Sequence, residues 1–245
     1  PAFDDSKWQS VTVPHDWAIY GPFSSLNDKQ EVAISQDGQK EAMEHAGRTG
    51  GLPFVGVGWY RTEFDVPQFQ AGKRATILFD GAMSHANVYI NGQKVGYWPY
   101  GYNSFHFDIT KYLKPGEKNT LAVRLENLPE SSRWYPGAGL YRNVHLIITE
   151  DAYIPVWGTY ITTPSVNEKF AKVNVRTKVV LPEGADPAKY SVETSVWNPN
   201  KQKLTAVRTS LAQMKYNNNQ AEQEFVIQAP SLWSPEMPAL YSAET

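Results

Sequence analysis

Residues 85–97 read HANVYINGQKVGY, and this stretch decides the fold class. Val88 and Ile90 alternate with Tyr89, which is the period-two pattern of a strand with one buried face. Asn91-Gly92 then interrupts the alternation, and this dipeptide is the strongest short-range signal for a type I′ turn. The stretch therefore predicts a β-hairpin.

The same alternation recurs on both sides of the hairpin. Leu121, Val123 and Leu125 share one face of a predicted strand, and residues 144–149 form another before a plainer second half of similar strands. Amphipathic helices of ordinary length do not alternate with these strands, which excludes a β/α barrel and a Rossmann fold. The pattern predicts an all-β chain made of sandwiches.

A domain boundary is predicted near residues 150–155, where a strand ends in Glu150-Asp151 and Pro155 follows. Two β domains result, residues 1–150 and residues 151–245. The chain begins without an obvious first strand and stops within a strand pattern, so we expect a piece of a longer protein whose last strand is truncated.

One polar segment, residues 24–53, lacks any period-two face and is predicted to be a long irregular loop. Within it, residues 39–45 are compatible with a short helix.

Composition excludes several classes of function. The 245 residues carry a net charge of −2, so nothing favours binding to nucleic acid or to a membrane. No apolar run approaches the roughly 18 residues of a membrane helix. Without cysteine the chain can hold no disulfide, iron–sulfur cluster or thiol nucleophile. The compartment stays open between a periplasmic or secreted location, which we favour, and the cytoplasm.

The residues also point away from catalysis within this chain. The five histidines show no metal-binding spacing, and no serine lies in a GxSxG motif. A glycosidase needs two carboxylates across the scissile bond, and no such pair is recognisable on strand ends. Asp108 instead precedes a short helical turn and is interpreted as its cap. We therefore expect no catalytic residue, no metal site and no cofactor.

One loop combines features that call for an explanation. In residues 131–140, SSRWYPGAGL, a cation and two large aromatic residues precede Pro136, Gly137 and Gly139, which force the chain to turn. The chain is rich in such residues, with eight Trp and fourteen Tyr. They suit the core of a β-sandwich, and they also suit stacking on the flat faces of sugar rings.

Four motifs occur in an order that resembles the N-terminal region of glycoside hydrolase family 2, of the β-galactosidase type. They are DDSKWQSVTVPHDWAI at 4–19, GVGWYRTEFDVP at 56–67, VYINGQKVGYWPYGYNSFHFDIT at 88–110 and RWYPGAGLYRNVHL at 133–146. The tail LWSPEMPALYSAE, residues 232–244, is similar to the LWSPxxPxLY signature of that family's second domain.

The resemblance implies a jelly-roll β-sandwich of the sugar-binding type followed by an immunoglobulin-like sandwich. In the family a TIM barrel follows and carries both catalytic glutamates of a retaining mechanism, so this chain is expected to be inactive alone. The implied partners are the barrel and, through the whole enzyme, a β-galactoside; homo-oligomer formation stays open.

The resemblance also suggests which residues border the substrate. The loop that contains Arg133, Trp134 and Tyr135 would project toward the barrel's active-site mouth, which makes these three the candidate rim residues. Relatives often carry an acidic residue at the position of Arg133, so that role does not transfer; the arginine could instead bind sugar hydroxyls or a charged substituent, or brace the barrel. Pure bracing between domains is the alternative for the whole loop.

Further residues of these motifs are weaker candidates for a functional role. Trp98, Tyr100 and Tyr102 could form a sugar platform, although the family places that segment in turn and core. His15 and Asp16 are interpreted as structural. Other functions for the chain are a free-standing carbohydrate-binding module, an adhesion module, or a parent enzyme of the β-glucuronidase or β-mannosidase type.

Overall fold

The computed structural model describes residues 3–27, 29–45, 54–68, 72–129, 131–132, 134–213 and 220–245. The chain divides into two compact units, Pro1–Ile148 (unit 1) and Thr149–Thr245 (unit 2). Strands dominate both, and the helices in the described ranges are 3₁₀ helices of three residues each. The all-β prediction is confirmed. None of these helices has the length and apolar character that a membrane span requires.

Unit 1 is a β-sandwich of the jelly-roll type. Its main sheets are four-stranded, in the order β3-β8-β5-β6, and three-stranded, in the order β7-β4-β9, and β1 and β2 form a separate pair. The strands are β1 (Gln30–Val32), β2 (Met43–His45), β3 (Gly56–Asp65), β4 (Arg74–Phe79), β5 (Ala86–Ile90), β6 (Gln93–Trp98), β7 (Phe105–Asp108), β8 (Lys118–Asn127) and β9 (Val144–Thr149).

The core of unit 1 follows the period-two pattern of its strands. Leu121, Val123 and Leu125 all face inward from β8, as predicted, and Val88 and Ile90 do so from β5. Aromatic side chains fill the centre of the core, where the Phe79 and Phe105 rings stack with centroids 4.8 Å apart.

The predicted hairpin at Asn91-Gly92 is confirmed, because β5 and β6 pair around it and both turn residues have positive φ. The fully buried side chain of Asn119 on β8 holds this turn in place. Its Nδ2 donates to the carbonyls of Lys114 and Glu117, both at 2.9 Å, and its Oδ1 accepts from Asn91 Nδ2 at 2.8 Å. Each of these hydrogen bonds satisfies a polar group whose burial without a partner would lower the stability of the fold.

The short helix predicted at residues 39–45 is wrong. Met43–His45 is strand β2, and it pairs antiparallel with β1 in the register Gln30 to His45. A three-residue 3₁₀ helix lies earlier, at Ser35–Asp37. Tertiary pairing decided the outcome, since a segment this short has no conformational preference strong enough to resist it. Residue 28 and residues 46–53 of the predicted loop lie outside the described residues.

Unit 2 is an immunoglobulin-like sandwich of two three-stranded sheets, ordered β10-β11-β14 and β13-β12-β15. Its strands are β10 (Thr159–Val166), β11 (Phe170–Lys178), β12 (Ser191–Trp197), β13 (Lys203–Ser210), β14 (Gln220–Gln228) and β15 (Ser242–Glu244). Val173, Val175 and Val179 are buried, which agrees with the alternation in the sequence.

A polar side chain joins the two sheets of unit 2 inside the core. Gln223 on β14 is 2% exposed, and its Nε2 donates to the carbonyls of Val192 on β12 (3.1 Å) and Val207 on β13 (2.7 Å). Its Oε1 accepts from the buried Thr194 hydroxyl at 2.6 Å. The side chain therefore sets how β14 sits against the opposite sheet.

Candidate functional site

The loop between β8 and β9 carries the candidate rim residues, and we call residues 131–140 the rim loop. Several segments of unit 1 hold its base. Gln30 of β1 is buried, and its Nε2 donates to the Ser132 carbonyl at 2.8 Å. The His15 amide donates to the Leu140 carbonyl, also at 2.8 Å. The loop is thus tied at both ends to segments far away in sequence.

Asp16 fixes the middle of the rim loop. One carboxylate oxygen accepts from the Ala18 amide at 2.9 Å. The other accepts from the Tyr135 hydroxyl and from the Ala138 amide, the latter at 3.1 Å. A carboxylate held by three donors is fixed in orientation and suits a positioning role better than proton transfer.

Gly139 is the tightest point of the rim loop. Its backbone pairs with Met83, with both N···O distances at 3.0 Å. Its φ is +90°, and a Cβ there would lie 2.2 Å from the Tyr60 hydroxyl oxygen and 2.8 Å from the His15 carbonyl oxygen. Only glycine meets both conditions, the left-handed φ and the missing side chain.

Two tyrosines, Tyr60 of β3 and Tyr135 of the rim loop, have pKa values above the ordinary value of a tyrosine. Burial, above all, raises the pKa of Tyr60 to about 12, and the nearby Asp16 charge adds to the effect. Burial also raises the pKa of Tyr135, and its hydrogen bond to Asp16 raises it further because a phenolate could not donate to that carboxylate. Both hydroxyls therefore remain hydrogen-bond donors at neutral pH.

These shifts predict a loss of stability in alkali. Because the folded-state pKa of Tyr60 lies above the ordinary value of 10, the unfolded chain loses its proton first as the pH rises. The stabilising contribution is complete below pH 10 and disappears as the pH passes about 12. We expect urea midpoints of the wild type to fall from pH 9 to pH 11.5, and those of Tyr60→Phe to fall less steeply.

The control is Tyr160→Phe on β10, where the side chain is exposed. It should leave the pH dependence of the wild type unchanged. Equal slopes for wild type and Tyr60→Phe would contradict the assignment.

Trp134 stands at the outer edge of the rim loop, with 60% of its surface exposed. Its indole Nε1 donates to the Tyr102 hydroxyl at 3.0 Å. Tyr102 packs edge-to-face on Tyr100, with centroids 5.5 Å apart, and both rings are also exposed. Exposed aromatic side chains held in fixed positions form a surface suited to flat, partly apolar ligands.

The candidate residues have different environments in the structure. Trp134 is exposed, whereas the Tyr135 hydroxyl is occupied by Asp16. Arg133 lies outside the described residues. Trp98 is partly buried and stacks on Phe105, which agrees with the placement of its segment in turn and core. The contact of Trp134 with Tyr102 was missed, since the two lie 32 positions apart and no short motif links them.

The chemistry of this site is that of binding. Among the described residues, no group of three or more His, Asp or Glu side chains is arranged to hold a metal ion. The rim loop offers the exposed indole of Trp134 on a braced backbone, beside the exposed Tyr100 and Tyr102 rings. Such a surface can orient a ligand by stacking and hydrogen bonds.

Comparison with protein families gives two matches along the chain. The model described as "Glycosyl hydrolases family 2, sugar binding domain" matches residues 48–150. The model described as "Glycosyl hydrolases family 2" matches residues 153–245. The rim loop lies within the first match.

Similar curated proteins include two kinds of glycosidase. The chain is 38% identical to the beta-galactosidase BoGH2A of Bacteroides ovatus over 246 residues, which is 100% of this chain and 27% of that protein. It is 35% identical to a putative beta-glucuronidase of Formosa agariphila, over 99% of this chain and 21% of that protein. The chain thus spans about a quarter of the length of these curated relatives.

Solved structures show the same likeness. A glycosyl hydrolase family 2 member from Bacteroides cellulosilyticus matches 99% of this chain and 30% of its own, with a TM-score of 0.78 and 31% identity. A Bacteroides uniformis beta-glucuronidase matches 98% of this chain and 27% of its own, with a TM-score of 0.70 and 26% identity.

Proposed function

Because this chain belongs to glycoside hydrolase family 2, we propose that it is the non-catalytic N-terminal portion of a glycosidase that removes terminal β-galactosides with retention. Its two sandwiches contribute no catalytic carboxylate. They support the barrel of the whole enzyme, and the rim loop lines the mouth of its active site. The observation that carries the proposal is the likeness to BoGH2A over the whole length of this chain.

Trp134 is the residue we assign to the substrate. Its exposed indole, held by Tyr102, is available to stack on a sugar ring, whereas Tyr135 and Asp16 position the loop that carries it. Since fixing a side chain before binding removes part of the entropy cost of ordering it, this bracing favours affinity.

The β-glucuronidase alternative rests on a specific observation, the putative beta-glucuronidase at 35% identity. Arg133 agrees with it at the level of chemistry, because a guanidinium matches a carboxylate through two parallel hydrogen bonds. We favour the galactoside because the BoGH2A likeness is higher in identity.

The experiment uses the protein encoded by the longer reading frame, assayed on nitrophenyl β-galactoside and nitrophenyl β-glucuronide. We expect a higher kcat/KM on the galactoside. Trp134→Ala should raise KM about tenfold with a smaller change in kcat, since stacking is a binding interaction. Trp134→Phe is the matched control, because it keeps a ring and should recover most of the affinity.

Three results would count against the proposal. A higher kcat/KM on the glucuronide would transfer the assignment to that alternative. Turnover by residues 1–245 alone would refute the non-catalytic role. Equal KM values for wild type and Trp134→Ala would remove Trp134 from the substrate site.

A further inference from the structure

The outer face of the four-stranded sheet in unit 1 carries a row of aromatic and polar side chains. Val123 and Leu125 point into the core from β8, so Arg124 between them points outward. Trp59 on β3 pairs with Arg124. Asn87 on β5 pairs with Arg124 from the other side and with Tyr97 on β6. The row therefore crosses all four strands.

Three aromatic side chains belong to this outer face. Trp59 and Tyr97 stand at the two ends of the row, each 45% exposed. Tyr89, on the neighbouring row, lies with its ring centroid 5.8 Å from that of Trp59 at an interplanar angle of 31°. The ends of the row are three strand spacings apart, roughly 14 Å. That span exceeds a single sugar ring and suits a chain of several.

Polar groups between the rings are positioned by their neighbours. Arg124 is held by Glu126 at 3.0 Å, and the Tyr97 hydroxyl lies 2.7 Å from His85 Nδ1. Asn87 Nδ2 donates to the His85 carbonyl at 3.1 Å, which orients its amide. Donors and acceptors fixed between ring faces are what the alternating hydroxyls and C–H faces of a sugar require.

Most charges of this face are paired locally, and the ammonium group of Lys94 on β6 lies 5.9 Å from the Tyr97 ring centroid. Arg61 pairs with Asp5, and Arg124 pairs with Glu126. At the far end of the sheet Lys118 lies 3.9 Å from Glu63. Paired charges leave little net field to attract an ion, so the face matches an uncharged ligand better than an acidic or basic one.

We propose that this outer face binds an uncharged oligosaccharide. Trp59, Tyr89 and Tyr97 stack on its sugar rings, and Asn87 and Arg124 hydrogen-bond its hydroxyls. The site shares no residue with the rim loop and does not depend on the function proposed above.

The test is affinity electrophoresis of residues 1–245 in native gels that contain a neutral polysaccharide: β-1,4-galactan, arabinogalactan, xyloglucan or galactomannan. Polygalacturonate serves as the charged counterpart. We expect retardation by at least one neutral polysaccharide and none by polygalacturonate. Trp59→Ala and Tyr97→Ala should each weaken the binding about tenfold or more, as measured by calorimetry with oligosaccharides of the retarding polymer.

Two controls separate this face from other exposed aromatic residues. Trp233→Ala and Tyr160→Ala, both in unit 2, should bind as the wild type does. No retardation by any of the four neutral polymers would overturn the proposal, and so would unchanged binding by both Trp59→Ala and Tyr97→Ala. Preference for polygalacturonate would also overturn it. So would a dimer in sedimentation that Trp59→Ala dissociates, because a second copy would then cover the face.

Discussion

Gly139→Ala is expected to destabilise unit 1 by about 2 to 5 kcal/mol, the sum of a left-handed backbone cost and of overpacking. The new methyl group would meet the Tyr60 hydroxyl oxygen and the His15 carbonyl, of which only the first can move. Backbone relief would have to break the paired hydrogen bonds to Met83. Urea unfolding followed by tryptophan fluorescence measures the change in the free energy of unfolding.

Gly38→Ala provides the matched control. Gly38 also has a positive φ, +74°, yet no atom lies within 4 Å of the place where its Cβ would be. This variant carries the backbone cost alone, about 1 to 2 kcal/mol. If Gly139→Ala cost no more than Gly38→Ala, the close approach of Tyr60 and His15 would be irrelevant to stability. In the whole enzyme proposed above, Gly139→Ala should also raise KM, since the rim loop that carries Trp134 would lose its support.

Gln223→Leu should destabilise unit 2 by about 2 to 5 kcal/mol. Leucine fills nearly the same volume, but it leaves the carbonyls of Val192 and Val207 without this donor inside the core, while the Thr194 hydroxyl keeps its contact with Thr245. Each buried polar group that loses its hydrogen bond costs about 1 to 3 kcal/mol. Because two units can unfold separately, hydrogen exchange should locate the effect: amides of β12 and β14 lose protection, while those of β8 keep it.

Gln228→Leu is the control on the same strand. Its side chain is exposed, so the substitution should change the free energy of unfolding by no more than about 0.5 kcal/mol. Equal protection of β12 amides in Gln223→Leu and wild type would show that the buried network does not join the sheets.

The features of the fold that were predictable from the sequence are those encoded locally. The hairpin at Asn91-Gly92 and the inward face of β8 follow from turn chemistry and from alternation within ten residues. Strand β2 was missed because its conformation comes from β1, thirteen residues earlier, and not from its own three residues. Gln223 was missed for a related reason. Because glutamine is mostly exposed in folded proteins, a glutamine in a strand is predicted to lie on the surface unless its partners on other strands are known.

In the candidate site, too, the local features were predictable from the sequence and the long-range contacts were not. Its loop stood out in the sequence, because a cation and two aromatic residues beside Pro136 and Gly137 are unusual for a simple turn. The roles within it depend on residues far away: Asp16 positions Tyr135, and Tyr102 holds Trp134. Periodicity and motif spacing carry no information on such contacts. The assignment of the rim loop to a substrate stays a prediction.

The Asn91-Gly92 turn has a consequence for chemical ageing. Asparagine followed by glycine is prone to deamidation, because the glycine amide nitrogen can attack the side-chain carbonyl and close a succinimide ring. Here Asn91 Nδ2 donates to the Tyr112 carbonyl at 2.9 Å, and its Oδ1 accepts from the Thr120 amide at 3.0 Å. The side chain must leave these two partners and Asn119 before the ring can close. Isoaspartate at this position would therefore form only as fast as the hairpin opens. Its rate of accumulation during storage would then report how often this part of the protein unfolds locally.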